Sequence, residues 1–189
     1  GAGEEQGCQD GIDVYFSTFA KSMANIGAFV AADKDIIDYL KYNLRSQMFA
    51  KALPMIQTIG SLKRLELLRK SSELKDKLWE NVNALQGGLK ARGFNIGDTN
   101  TCVTPVYLEG SIPEAMVMVN DLRENYNIFL SIVVYPVIPK GIILLRMIPT
   151  ASHTIDDINE TLAAFEAIRE KLTNGTYKAL AEANVENVE

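Results

Sequence analysis

The spacing of hydrophobic residues along the chain predicts alternating helices and strands. In three long stretches, which begin near Pro54, Leu74 and Thr154, apolar residues recur every three or four positions, as in amphipathic helices. Shorter apolar runs predict strands at 12–19, 27–31, 102–108, 129–135 and 141–148. The pattern indicates an α/β fold with a small α+β domain.

Capping signals divide the pattern into elements. Asp33 is a good N-cap for a helix with Ile36, Ile37, Leu40 and Leu44 on one face. Pro54 opens the helix that carries Ile56, Ile59, Leu62 and Leu65. Ser111 and Glu114 form a predicted capping box for a helix to about Tyr126, and Thr154 caps the last long helix.

Four parts follow from these boundaries. Residues 1–53 are predicted to be the remnant of a large domain, and 54–71 a connecting helix. Residues 72–175 form a small C-terminal domain, and 176–189 a polar tail, either a frayed helix or disordered. The polar, glycine-rich residues 1–11 read as a loop cut out of something longer.

Composition removes several classes of function. A formal net charge of −5 without a basic cluster argues against a nucleic-acid surface, and no apolar run is long enough to span a bilayer. Cys8 and Cys102, far apart in the chain, fit a reducing cytosol better than a disulfide scaffold, which predicts a cytoplasmic protein. His153 is the single histidine, so a histidine metal site or a serine triad within this chain is disfavoured. No metal site is expected.

Lys21 is the first candidate for chemistry. It lies in the segment 17–22, directly after the apolar run 12–16, at the end of a strand that we predict to be buried. An ammonium is costly to desolvate, and a neutral amine can form a Schiff base with a carbonyl. Alternatively, the amine reaches water along its flexible stem. From the local sequence both interpretations stay open.

Arg146 is the second candidate, because it interrupts the apolar run 142–148. Its flat guanidinium matches a carboxylate through two hydrogen bonds. It could equally face water on an alternating strand or form a structural salt bridge. A lysine for a carbonyl cofactor and an arginine for an amino-acid carboxylate together suggest a pyridoxal phosphate (PLP) enzyme.

Four segments carry a resemblance to the α-oxoamine synthases, which are PLP-dependent acyltransferases of fold type I within aminotransferase class I/II. Residues 17–22 and 26–30 resemble the family's cofactor-lysine motif. Three further stretches resemble the family: 37–40 together with 45–49, then 53–54, and 145–154. The resemblance therefore covers nearly all of residues 1–172. The nearest likeness is to bacterial serine palmitoyltransferases, then glycine C-acetyltransferases (2-amino-3-ketobutyrate CoA ligases), then 8-amino-7-oxononanoate synthase.

The resemblance implies roles for three residues. Lys21 would hold PLP as a Schiff base and, once freed, remove the α-proton of the amino acid. Thr18 would hydrogen-bond the cofactor phosphate, and Arg146 would bind the amino-acid carboxylate. The amino acid, with serine favoured over glycine, would condense with an acyl-CoA and release CoA and carbon dioxide. Family active sites lie at a subunit interface, which implies a homodimer, and the likeness to serine palmitoyltransferase implies sphingolipid biosynthesis.

Two departures from the family pattern change what we expect of this chain. The family's aspartate under the pyridine nitrogen and its two cofactor-contacting histidines would lie upstream of Gly1. We therefore expect the 189-residue chain alone to be inactive and to bind PLP poorly. After Phe49, where the family often has a hydroxyl-bearing pair, this chain has Ala50 and Lys51. Lys51 either contacts the neighbouring subunit's cofactor phosphate or is a solvated loop lysine.

Two rival interpretations remain. The chain could belong to another fold-type I enzyme, such as an aminotransferase, with the same lysine and arginine. It could also be a small α/β interaction module in which Lys21 is exposed and Arg146 forms a structural ion pair. His153, just before a predicted N-cap, is expected to have a capping or packing role rather than to transfer protons.

Overall fold

The computed structural model describes residues 1–186, with side chains to residue 183, and the last three residues of the predicted polar tail lie outside that range. The chain divides into two compact units, one from Gly1 to Ser72 and the other beginning at Glu73. Cys8 and Cys102 are free thiols. No helix within the described range is both long and apolar enough to cross a membrane.

The first unit contains one antiparallel hairpin and several helices. Strands β1 (Val14–Thr18) and β2 (Ala28–Ala32) pair in a register that sets Val14 opposite Ala32 and Thr18 opposite Ala28. The helices of this unit are α1 (Ala2–Glu5), a 3₁₀ turn (Gln9–Gly11), α2 (Lys34–Asn43), α3 (Arg45–Met48) and α4 (Met55–Lys70).

Burial in the first unit differs from the sequence prediction. Val14 and Phe16 of β1 are 47% and 62% exposed, so the strand that we predicted to be buried is open to solvent. The predicted apolar face of α4 is open as well, with Ile56, Ile59 and Leu62 at least 60% exposed. The reason for β1 is geometric: within the described residues it pairs only with β2, and a two-stranded ribbon cannot bury both of its faces.

The second unit packs helices against a three-stranded antiparallel sheet. The strand order is β3-β5-β4, which puts β5 in the middle. Its strands are β3 (Thr104–Glu109), β4 (Ser131–Val133) and β5 (Ile142–Met147), and its helices are α5 (Glu73–Ala91), α6 (Ile112–Tyr126), α7 (Ile155–Thr173) and α8 (Thr176–Glu186). Strand β4 is shorter than the predicted 129–135.

The alternation of side chains along β5 separates the core from the open face of this sheet. Ile143, Leu145 and Met147 are buried in the core, while Arg146 is exposed. Successive side chains of a strand point to opposite faces, so Arg146 lies on the face opposite the core. The core continues into the helices through fully buried residues that include Leu89, Met118, Leu122, Phe165 and Ile168.

The two strongest helix starts predicted from the sequence are confirmed. Ser111 Oγ accepts from the Glu114 amide at 3.4 Å, and Glu114 Oε2 accepts from the Ser111 amide at 2.9 Å. Hydrogen bonds from the Ser111 hydroxyl and amide hold the pKa of Glu114 below its ordinary value. Thr154 caps α7 through a reciprocal pair with Asp157. Asp33 occupies the N-cap of α2 but makes no side-chain capping bond there.

The predicted polar tail was expected to be either a frayed helix or disordered, and over its described part it is a helix. Residues 176–186 form α8, and Tyr177 and Ala181 on this helix are 1% and 6% exposed. Tyr177 can be buried because its hydroxyl donates to Asp121 Oδ2 at 2.6 Å.

Candidate functional site

Lys21 lies in the loop 19–27, the Lys21 turn, which joins β1 to β2. The Phe19 amide donates to the Gly27 carbonyl at 2.9 Å, and the Asn25 amide donates to the Phe19 carbonyl at 2.8 Å. The Ala24 amide donates to the Lys21 carbonyl at 2.9 Å, which closes a smaller turn. The Lys21 side chain is exposed at the end of this hydrogen-bonded loop. The backbone around the lysine is therefore fixed while its amine is accessible.

Asn25 ties the Lys21 turn to helix α4. Its Nδ2 donates to the Gln57 carbonyl at 2.7 Å and to Ser61 Oγ at 2.6 Å. Its Oδ1 accepts from the Ile26 amide at 2.9 Å. One side chain thus joins the turn to a regular helix, and this holds the loop in place.

Two residues of the turn adopt left-handed backbone conformations. Gly27 has φ of +104°, and a Cβ there would lie 3.0 Å from Leu53 Cδ1, so only glycine fits without strain. Ala24 has φ of +42°, which is uncommon for alanine and is found where the surroundings over-determine a loop. This local strain is consistent with a loop shaped for a function.

Thr18 is the last residue of β1, three positions before Lys21, and it is exposed. In the described part of the chain neither the Thr18 hydroxyl nor the Lys21 amine has a hydrogen-bond or ion-pair partner. A hydroxyl and an amine that are both available at one end of a braced hairpin fit a ligand with a phosphate and a carbonyl. PLP carries both of these groups, and PLP enzymes hold its carbonyl through a lysine Schiff base.

Arg146 lies on the open face of the second unit. Its Nε donates to Ser131 Oγ at 3.1 Å, and Ser131 is the residue opposite it on β4. Among residues 1–183, no carboxylate forms an ion pair with Arg146. The structural salt bridge considered above is therefore not found in the described structure, and the guanidinium is available to an anionic ligand.

The remaining candidates are peripheral. Lys51 is exposed in the segment between α3 and α4. His153 was expected to have a capping or packing role; its side chain is exposed, and its Nδ1 accepts from the Thr150 amide at 3.0 Å, which is a capping contact. Buried Asn81 donates to the carbonyls of Thr150 and His153 at 3.0 and 2.8 Å and holds the same turn. The described residues contain no cluster of three or more His, Cys, Asp or Glu side chains that could hold a metal.

The sequence prediction missed Asn25, Ser131 and Asn81. Each is a short polar residue whose partner is distant in the chain, and the hydrophobic pattern carries no information on such pairs. Ser131 alone could have been found, because an antiparallel pairing of the predicted strands 129–135 and 141–148, which the sequence analysis did not consider, would set it near Arg146. Lys21 and Thr18 lie in the first unit, and Arg146 lies in the second.

The chain is similar to proteins of known class over most of its length. Residues 3–165 match the model of the family described as aminotransferase class I and II. A cysteate-C-fatty acyltransferase of Capnocytophaga ochracea is 73% identical over 180 residues, which are 95% of this chain and 43% of that protein. A serine palmitoyltransferase of Sphingobacterium spiritivorum is 34% identical over 162 residues, 86% of this chain and 40% of that protein.

A solved structure of SPT with PLP as an internal aldimine shares the fold. Its TM-score is 0.82 at 29% sequence identity, and the match covers 92% of this chain and 44% of that one. The predicted fold class is thereby confirmed. The chain spans less than half the length of these relatives.

Proposed function

The chain belongs to the aminotransferase class I and II family, and we propose that it is part of a PLP-dependent acyltransferase of the α-oxoamine synthase type. The enzyme joins the Cα of an amino acid to the acyl group of an acyl-CoA and releases CoA and carbon dioxide. The observation that carries this proposal is 73% identity to a fatty acyltransferase over 95% of the chain. The accessible amine of Lys21 and the unpaired guanidinium of Arg146 are the chemical groups that such a reaction needs.

Each site residue has a distinct part. PLP, when bound, supplies an electron sink for the bond that is broken at Cα. Lys21 would hold the cofactor covalently, and its amine, when free, would be the base for the proton at Cα. Thr18 donates its hydroxyl to the cofactor phosphate, and Arg146 binds the substrate carboxylate through its planar fork. The braced turn around Lys21 supports this assignment, because a catalytic amine has to be held in place.

The amino-acid substrate is proposed from the relatives. The sequence alone favoured serine, with glycine as the alternative. Identity of 73% to an enzyme named for cysteate, against 34% to one named for serine, now favours cysteate. Arg146 does not discriminate among the three, since the carboxylate is common to all of them. Serine with a long acyl chain is the second candidate.

The setting of the enzyme completes the proposal. We expect a cytoplasmic homodimer in which 1–53 belongs to the large cofactor domain and 72–175 forms the small domain. Apolar side chains on β1 and α4, such as Phe16 and Ile56, are exposed in the described chain, and in a longer protein they would be covered. A role in lipid biosynthesis follows from the long-chain acyl product.

The test uses the full-length protein that contains this chain, loaded with PLP. CoA thiol release is followed with palmitoyl-CoA plus cysteate, serine or glycine, and with acetyl-CoA plus glycine. We expect release with palmitoyl-CoA and fastest turnover with cysteate. Turnover only with serine would make it a serine palmitoyltransferase, and turnover only with glycine and acetyl-CoA an acetyltransferase. A bound cofactor without any CoA release would favour an aminotransferase.

A further inference from the structure

We infer that Ser131 is a positioning residue, which fixes the guanidinium of Arg146 so that its two terminal nitrogens point at the substrate carboxylate. The inference rests on the proposed function, because it assumes that Arg146 binds an amino acid. Its basis is the 3.1 Å hydrogen bond from Arg146 Nε to Ser131 Oγ.

Arg146 has two cross-strand neighbours, because β5 is the middle strand. Ser131 is opposite it on β4, and Pro105 is opposite it on β3. Proline offers a rigid apolar ring and no polar side-chain atom. Of the two residues directly opposite Arg146, only Ser131 can therefore accept a hydrogen bond from the guanidinium with its side chain.

The hydrogen bond to Ser131 uses Nε of Arg146, and this limits how the guanidinium can bind an anion. A guanidinium has five N–H groups and can bind a carboxylate side-on, through Nε and one terminal nitrogen, or end-on, through both terminal nitrogens. Ser131 occupies Nε and so removes the side-on mode. The two terminal nitrogens make no hydrogen bond to any other residue in the described range, which leaves the end-on pair free.

Holding Nε also reduces the cost of binding. Arg146 is exposed, and a free arginine side chain samples many rotamers that binding would have to restrict. A hydrogen bond present before the substrate arrives removes part of that loss. The consequence falls on recognition of the carboxylate and leaves the acyl-transfer step unaffected.

The test compares Ser131→Ala, which loses the acceptor, with Ser131→Thr, which keeps a hydroxyl, in the full-length holoenzyme. For Ser131→Ala we expect KM for the amino acid to rise roughly three- to tenfold, the range that one hydrogen bond supports, with little change in kcat. The KM for palmitoyl-CoA should not change. Ser131→Thr should restore most of the affinity.

A substrate analogue separates positioning from a general structural role. Taurine is cysteate without its carboxylate, and ethanolamine is serine without it. Binding of either, followed by the absorbance of the cofactor, should be the same in wild type and Ser131→Ala. In the double variant with Arg146→Gln, loss of the Ser131 hydroxyl should have no further effect on KM.

The outcomes distinguish the two levels of the proposal. A wild-type enzyme that releases no CoA with any amino acid overturns the proposed function itself. An active wild type with an unchanged amino-acid KM in Ser131→Ala overturns only the role of Ser131. Equal weakening of taurine and cysteate binding, or full additivity with Arg146→Gln, would show that Ser131 is merely structural.

Discussion

The hydroxyl of Tyr177 donates to Asp121 Oδ2 at 2.6 Å and thereby joins α8 to α6. The same carboxylate accepts from Lys171 Nζ at 2.7 Å and from Asn125 Nδ2 at 2.7 Å. Burial alone would raise the pKa of Asp121, but these three hydrogen bonds outweigh it and hold the pKa below its ordinary value. Burial is the main cause of the raised pKa of Tyr177, and the hydrogen bond to Asp121 raises this pKa further. The network holds the last described helix, α8, on the second unit.

Removing the Tyr177 hydroxyl tests this network. We expect Tyr177→Phe to lower the free energy of unfolding by about 1–3 kcal/mol, because a charged acceptor loses a partly buried hydrogen bond. Tyr177→Ala should cost more, about 3–5 kcal/mol, since it also leaves a cavity. Urea unfolding of the full-length protein measures both changes. Tyr42→Phe is the matched control, because Tyr42 is 78% exposed. An effect of Tyr177→Phe no larger than that of this control would contradict the network.

The lowered pKa of Asp121 predicts that the protein loses stability in acid. A carboxyl whose folded pKa is depressed contributes its full stability above the unfolded value, here 3.8, and loses it as the pH falls through the lower folded value. We therefore expect stability to decrease below about pH 4, with a shallower decrease in Asp121→Asn. Unfolding measured between neutral and strongly acid pH provides the check. An equally steep loss of stability with falling pH in wild type and Asp121→Asn would contradict this role of Asp121.

The capping box of α6 predicts that loss of the Ser111 hydroxyl lowers stability. Ser111→Ala removes the acceptor for the Glu114 amide and should lower the free energy of unfolding by about 1 kcal/mol. Ser111→Asp should preserve most of the stability, because aspartate is an equally good N-cap. Urea titrations followed by far-ultraviolet circular dichroism measure the change. Equal loss in the alanine and aspartate variants would show that the cap contributes nothing specific.

Asn25 is predicted to affect cofactor binding indirectly, through the turn that carries Lys21. Asn25→Ala removes both hydrogen bonds to α4 and should loosen the turn that carries Lys21. We expect weaker PLP binding, by roughly tenfold for the loss of one to two hydrogen bonds. Titration of the full-length apoprotein with PLP measures it. The control is Asn43→Ala, which removes an exposed bond to the Tyr39 carbonyl at 2.9 Å. Equal PLP affinity in Asn25→Ala and wild type would contradict a bracing role.

Sequence periodicity predicted the second unit best, because that unit contains its own core. The buried positions of α5 and α7, such as Leu85, Leu89, Leu162 and Phe165, recur at helical spacing. The capping residues Ser111 and Thr154 act on neighbours three positions away, so their role is readable locally. For α8 the sequence left a frayed helix or disorder open and did not indicate burial, because Tyr177 and Ala181 lie in a polar segment and Tyr177 depends on an acceptor 56 positions away.

The first unit and the site show the limits of such prediction. The periodic face of α4 indicates a surface to be buried, but Ile56 is 76% exposed, so the pattern identifies the helix and not its partner. Lys21 was identified as a candidate because a charge follows an apolar run at a strand end, and Arg146 because a charge interrupts an apolar run. Asn25 was missed because only the folded backbone brings it to its partners on α4, 32 and 36 positions away.

The most direct test of the central claim is to locate the covalent cofactor. The full-length protein is incubated with PLP, reduced with borohydride and digested, and the pyridoxyl group is mapped by mass spectrometry. The account predicts one labelled site, Lys21, and no label in Lys21→Arg. The label on Lys51 or on any other lysine, or no label at all, would contradict the assignment of Lys21 and with it the proposed enzyme class.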